Sequence, residues 1–125
     1  LEILMAHKIL IIDDEEDIVT VLSYRLRSKN YKVETAFNGK DGIIKAGIYS
    51  PDLIILDYCL PDLTADVVVR EIRHNENGKS APIILITAAI EHIEEKAKKV
   101  EAVTYLKKPF ELEQLYTQIE GLLTL

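Results

Sequence analysis

The chain has 125 residues, a formal net charge of -6 and a sequence pI near 5.1, the size of one ordinary domain that can bury a core without disulfides or structural zinc. The acidic balance argues against a nucleic-acid surface, which needs clustered Lys and Arg, and no apolar stretch approaches the ~20 residues of a membrane helix or the pattern of a signal peptide. Cys59 is the only cysteine, which excludes an intrachain disulfide and fits a reducing, cytoplasmic compartment.

Leu1 to Leu4 precede an internal Met5 and read as an expression remnant or the tail of an upstream segment, so residues 1–6 are set apart as an N-terminal extension from a domain over 7–125. Residues 8–12 (KILII) predict a first strand. The acidic run Asp13 to Asp17 then opens an amphipathic helix marked by Ile18, Leu22 and Leu26. Carboxylates at a helix start are favoured by its dipole, which accounts for Glu15, Glu16 and Asp17. Residues 32–36 (KVETA) alternate polar and apolar as an edge strand does. Turns are predicted at Asn38-Gly39 and Ser50-Pro51. Residues 52–57 (DLIILD) and, after a turn at Asn77-Gly78, residues 82–86 (PIILI) are continuously apolar, as expected of central strands covered on both faces. Ile93, Ala97 and Val100 mark a further helix, on which Lys96, Lys98 and Lys99 interleave with Glu94 and Glu95 as a solvated face. Residues 103–106 (VTYL) form a short second edge strand. A last helix carries Leu112, Leu115, Ile119 and Leu122 on one stripe, and the chain stops at Leu125 as that helix finishes, which reads as a freestanding protein or a module cut from a longer one. Five strand-helix repeats predict an α/β fold with a parallel sheet between two helical layers.

The candidate chemistry sits at the ends of four apolar runs: Asp13 and Asp14, Asp57, Thr87, and Lys108 followed by Pro109. In a parallel sheet the carboxyl ends of the strands share one edge, so these groups converge in a single crevice. Three carboxylates together repel one another and call for a hard cation. Mg2+ suits them, since it takes oxygen ligands and keeps positions for water or phosphate oxygens. A strand-end carboxylate such as Asp57 can attack phosphorus to give an aspartyl phosphate. The Thr87 hydroxyl and the Ala88 amide can donate to phosphoryl oxygens while Lys108 supplies a point charge. Pro109 suggests a tight turn, through a cis Lys108-Pro109 bond, that aims the lysine inward.

The segments KILIIDDEED, PDLIILDYCLPD, IILITAA and YLKKPF, in this order and spacing, resemble the receiver domain of two-component response regulators, and the resemblance runs from Lys8 to Leu123. It implies a CheY-like, flavodoxin-like (βα)5 sandwich with a five-stranded parallel sheet of order 2-1-3-4-5. It also implies that Asp57 is the phosphorylated residue and Asp14 the main Mg2+ ligand, with Asp13 joining through water and the Cys59 backbone carbonyl as a further ligand. Thr87 and Lys108 would contact the phosphoryl group, and Tyr105 falls on an aromatic switch position. Lys107 would be a surface residue. The implied partners are a sensor histidine kinase, an output domain or effector, and a second copy docked through the surface of the fourth helix, fifth strand and fifth helix, with neither nucleic acid nor membrane. The domain would catalyse only its own phosphorylation and dephosphorylation. Three departures stand out: Ala65 replaces a usual glycine, Glu101-Ala102 replaces Gly-Ala, and Val103 replaces an acidic residue.

Three other readings fit less well. A phosphorylation-independent docking module would not need Asp14, Asp57 and Lys108, all of which are present. A haloacid-dehalogenase type phosphohydrolase wants a second Asp two residues after the nucleophile, where this chain has Cys59. A flavodoxin would need a hydroxyl-rich phosphate loop where Asp13 to Asp17 stand. Tyr105 as a plain strand aromatic and Thr87 as a plain helix cap are the ordinary alternatives for those two residues.

Overall fold

The computed structural model describes residues 6–78 and 80–123, so the predicted extension lies outside the described residues except for Ala6. Five strands alternate with five helices: β1 (Lys8–Ile12), α1 (Glu16–Ser28), β2 (Lys32–Ala36), α2 (Gly39–Tyr49), β3 (Leu53–Asp57), α3 (Ala65–His74), β4 (Ile83–Thr87), α4 (Ile93–Lys99), β5 (Thr104–Lys107) and α5 (Leu112–Leu123). All pairings are parallel and the order is β2-β1-β3-β4-β5, the flavodoxin-like arrangement expected, with β2 and β5 on the edges. β4 and β5 run one residue further than their apolar stretches, because Thr87 and Lys107 continue the ladder as a registered pair. Backbone pairing does not stop where the side chains turn polar.

Side chains alternate across the sheet and both faces are covered. Leu10, Ile12, Ile54, Leu56, Ile83 and Leu85 pack beneath Ala46, Val68, Ile72 and Ala97 of α2, α3 and α4. Ile9, Ile11, Leu53, Ile55, Ile84 and Ile86 pack with Leu22, Leu26, Leu115 and Ile119 of α1 and α5. The strand aliphatics are fully enclosed, and each contributes about 1.5–3 kcal/mol by leaving water. This two-sided core anchors the strand ends that carry the polar groups.

Three turn signals resolve into helix caps or a loop turn. Asn38 is the N-cap of α2, its side chain accepting from the Asp41 N–H at 2.8 Å, so Asn38-Gly39 starts a helix directly. Ser50 closes α2 in the left-handed region before Pro51, and Asn77-Gly78 is a turn after α3. Glu101, where the resembled family has Gly, takes the left-handed φ of 56° itself. The Ala102 amide reaches the Ala97 carbonyl at 2.9 Å and the Glu101 amide the Lys98 carbonyl at 3.1 Å. The helix therefore ends in a Schellman motif built on a non-glycine residue, at a cost of about 1 kcal/mol. Ala65, also in place of Gly, is the buried first residue of α3.

At Gly42 a close approach requires glycine. A Cβ there would lie 2.7 Å from Ile12 Cδ1 and 3.0 Å from two more Ile12 carbons, and Ile12 is itself fully buried. Gly42→Ala should therefore cost about 1–3 kcal/mol through overpacking, read as a lower urea midpoint. An unchanged or raised midpoint would mean that α2 moves off β1 freely.

Candidate functional site

β1, β3 and β4 end in the same local device. Asp13 Oδ1 accepts the Glu15 N–H, Asp57 Oδ1 accepts the Cys59 N–H, and Thr87 Oγ1 accepts the Ala89 N–H, each at 3.0 Å. These are Asx and hydroxyl turns, in which a short polar side chain satisfies the backbone two residues on. Each one turns the chain out of the sheet and fixes its side chain. Parallel pairing sets Ile12 beside Leu56 and Asp57 beside Ile86, so the three turns stand side by side at one edge.

With the Oδ1 atoms committed to backbone, the Oδ2 atoms face the chemistry. Lys108 Nζ lies 2.8 Å from Asp13 Oδ2 and 2.8 Å from Asp57 Oδ2. The Lys108 amide is pinned to the Thr87 carbonyl at 2.9 Å, and the Lys108-Pro109 bond is cis, as expected. Carboxylate oxygens of Asp13, Asp14 and Asp57 all lie within 4.8 Å of one another. Asp13, Asp57 and Thr87 are buried, whereas Asp14 is exposed.

The electrostatics follow from that enclosure. Burial pushes the Asp57 carboxyl up from the usual 3.8 to about 6; the neighbouring Asp13 charge adds to the rise, while the bonds from Lys108 and the Cys59 amide oppose it. Burial alone would lower the Lys108 ammonium, but its bonds to Asp13, Asp57 and Glu15 outweigh this and hold it above the ordinary lysine range. With three carboxylates against one ammonium and Asp14 beside Asp13 and Asp57, the pocket has excess negative charge and an all-oxygen donor set. Mg2+ favours such a set, and the Asp13, Asp14 and Asp57 oxygens are close enough together to share one ion.

Asp13, Asp14, Asp57, Thr87 and Lys108 thus meet as expected, and Cys59 is an exposed loop residue whose amide orients Asp57. Thr87 acts locally as a turn-former while retaining its hydroxyl proton for another acceptor. Ala88 is exposed beside it and Lys107 is exposed. Tyr105 is half-buried against the α4 side of the core, and its hydroxyl donates to Glu94 at 3.4 Å. His7, His74 and His92 are all exposed.

Two residues depart from their sequence reading. Glu15 is more than a dipole partner, because its carboxylate bonds Lys108 Nζ at 2.5 Å. Lys96 leaves the solvated face: its ammonium donates to the Ala89 carbonyl at 2.9 Å and lies 5.1 Å from the Tyr58 ring centre. It thereby joins the loop after Thr87 to the loop after Asp57. The only sequence signals for either contact were charge and position, since their partners are far away in the chain.

A family model described as the response regulator receiver domain matches residues 9–120. The response regulator ArlR of Staphylococcus aureus is 38% identical over 117 residues, covering 93% of this chain and 52% of its own length. The chain therefore spans about half the length of the curated relatives it matches. Among solved structures, the receiver domain of a sensor histidine kinase from Pseudomonas aeruginosa, with a magnesium ion coordinated in its active site cleft, superposes with a TM-score of 0.84 at 31% identity, covering 94% of this chain and 97% of that one. The chemotaxis protein CheY4 of Vibrio cholerae gives 0.87 at 31% identity, covering 95% and 100%. The response regulator TrrA of Thermotoga maritima, in complex with Mg2+ and BeF, gives 0.77 at 32%, covering 94% and 99%.

Proposed function

Because the chain belongs to the response regulator receiver domain family, we propose that it is the phosphorylation-dependent switch of a two-component system and that Asp57 is its phosphoacceptor. The observation that carries this reading is the buried Asp57 carboxylate held 2.8 Å from the Lys108 ammonium. One Asp57 oxygen is fixed by the Cys59 amide, which leaves the other to react. It attacks the phosphorus of a phosphohistidine on a sensor kinase, or of acetyl phosphate. The new P–O bond forms as the P–N or P–O bond to the leaving group breaks.

Asp14, Asp57 and the Cys59 carbonyl would hold Mg2+, with Asp13 joining through water. Magnesium in the Pseudomonas domain and Mg2+ with BeF in the Thermotoga regulator support this. Bound there, the ion would supply positive charge to offset that of the phosphoryl oxygens. Lys108 takes a further phosphoryl oxygen, and the Thr87 hydroxyl and Ala88 amide donate to the others. The domain signals and does not process a metabolite; hydrolysis of its own aspartyl phosphate resets it. Its lone cysteine suits the cytoplasm. Among the described residues no helix is long and apolar enough to cross a membrane.

The signal is a change of surface. A phosphoryl group on Asp57 offers new acceptors, so Thr87 moves toward it and Tyr105 leaves Glu94 to rotate inward. The face of α4, β5 and α5 then presents Ile90 and Tyr105 differently to an effector, an output domain or a second copy, while Tyr116 is buried on the α1 side of the core. Such couplings amount to ~1–3 kcal/mol, so the two states coexist before phosphorylation. Beryllofluoride with Mg2+ should shift amide resonances across residues 87–106 and move the Tyr105 ring. Shifts confined to the immediate neighbours of Asp57, with Tyr105 unmoved, would refute the switch.

A further inference from the structure

Lys108 Nζ donates to Asp57 Oδ2 at 2.8 Å and to Glu15 Oε1 at 2.5 Å, and it lies 2.8 Å from Asp13 Oδ2 as an ion pair. A phosphoryl oxygen that approaches this cation competes with the carboxylates already held by it. Phosphorylation makes Asp57 Oδ2 the ester oxygen and ends its claim on the cation, whereas the Asp13 side chain is 0% exposed and losing the ammonium would strand its buried charge. Glu15 is 53% exposed, and water can solvate its carboxylate on release. Its placement is also specific. Glu15 is the N-cap residue of α1, yet its side chain makes no cap hydrogen bond and is given to Lys108 instead. The Asp13 turn holds the Glu15 amide, which aims the side chain across the crevice toward a lysine 93 residues away.

We propose that Glu15 is a positioning residue that acts as an internal competitor for Lys108, holding the cation in the unphosphorylated state and yielding it to the phosphoryl group. This rests on the reading of Asp57 as phosphoacceptor and adds a regulator of that same site. Glu15 sets how readily the phosphorylated state forms, because the free energy of its bond to Lys108 is subtracted from that of the phosphoryl contact.

The test compares Glu15→Gln with Glu16→Gln in the full chain with Mg2+. Glu16 is exposed on the same first turn of α1, so its variant matches the general change of charge. Beryllofluoride affinity, read by chemical-shift titration, and the rate of phosphorylation by acetyl phosphate are the readouts. Glu15→Gln should raise both about 3- to 10-fold over the parent, the range of a surface ion pair released near a partly buried cation, and high salt should not abolish the gain. Glu16→Gln should change either by less than about twofold. Equal effects of the two variants, or parental behaviour of Glu15→Gln, would overturn the competitor role while phosphorylation of the parent stands. A parent that takes up no phosphoryl group would instead overturn the underlying reading.

Discussion

Replacing Lys108 by methionine should destabilise the metal-free protein by about 3 kcal/mol or more at neutral pH, the scale seen when one partner of a buried ion pair is removed. The lysine side chain is 7% exposed and its ammonium lies 2.8 Å from oxygens of two enclosed carboxylates. Methionine preserves the apolar stem but leaves Asp13 and Asp57 facing each other without a cation. Mg2+ should recover part of the loss, because the ion binds the native carboxylate cluster and not the unfolded chain. Urea unfolding with and without Mg2+ measures both effects. A parental midpoint without Mg2+ would mean that the cluster discharges its strain by protonation alone, and the lysine would then be dispensable for the fold.

Asp57→Asn should act in the opposite direction, raising the stability of the metal-free protein by about 1–2 kcal/mol at neutral pH. The change removes one of the carboxylates crowded around Lys108 and substitutes a neutral group of nearly the same shape. Its amide oxygen can still accept the Cys59 N–H. The pH dependence has a definite sign. Asp57 ionises near pH 6 in the fold against a usual 3.8, so between these values the folded state binds more protons than the unfolded state. Stability from this group is greatest below about pH 4 and is lost as pH rises to about 6. The advantage of Asp57→Asn over the parent should therefore be full above pH 6 and shrink toward pH 4. An advantage that grows as pH falls would show that Asp57 is held below its usual range and that the Lys108 bond dominates its burial.

Much of this site was legible in the sequence because apolar runs and parallel topology are local and repetitive. Ile9 to Ile12, Leu53 to Leu56 and Ile83 to Ile86 announce central strands, and the polar residue after each run has to fall on the same edge. Asp13, Asp57 and Thr87 follow from that logic, whereas the choice of Lys108 over Lys107 rests on the resemblance, which places the functional lysine directly before proline. What stayed hidden depends on side-chain direction across long separations. Glu15 differs from Glu16 and Asp17 only in which way it faces, and only the fold reveals Lys108 in front of it. Lys96 sits among charges typical of a solvated face, but in the fold its ammonium lies over Tyr58 and donates to the Ala89 carbonyl. The Asn38-Gly39 pair shows a different limit. The same two residues suit a turn or a helix start, and the choice is made by what surrounds them: Asp62 from the loop after β3 accepts the Gly39 and Lys40 amides at 2.7 and 2.9 Å.

The central claim is that Asp57 carries the phosphoryl group, and the direct measurement is peptide mapping by mass spectrometry after treatment with acetyl phosphate and Mg2+. One phosphoryl group should be found per chain, on the peptide containing Asp57, and neither the Asp57→Asn variant nor the Mg2+-free parent should acquire it. A phosphoryl group on any other residue, or its persistence in Asp57→Asn, would contradict the account.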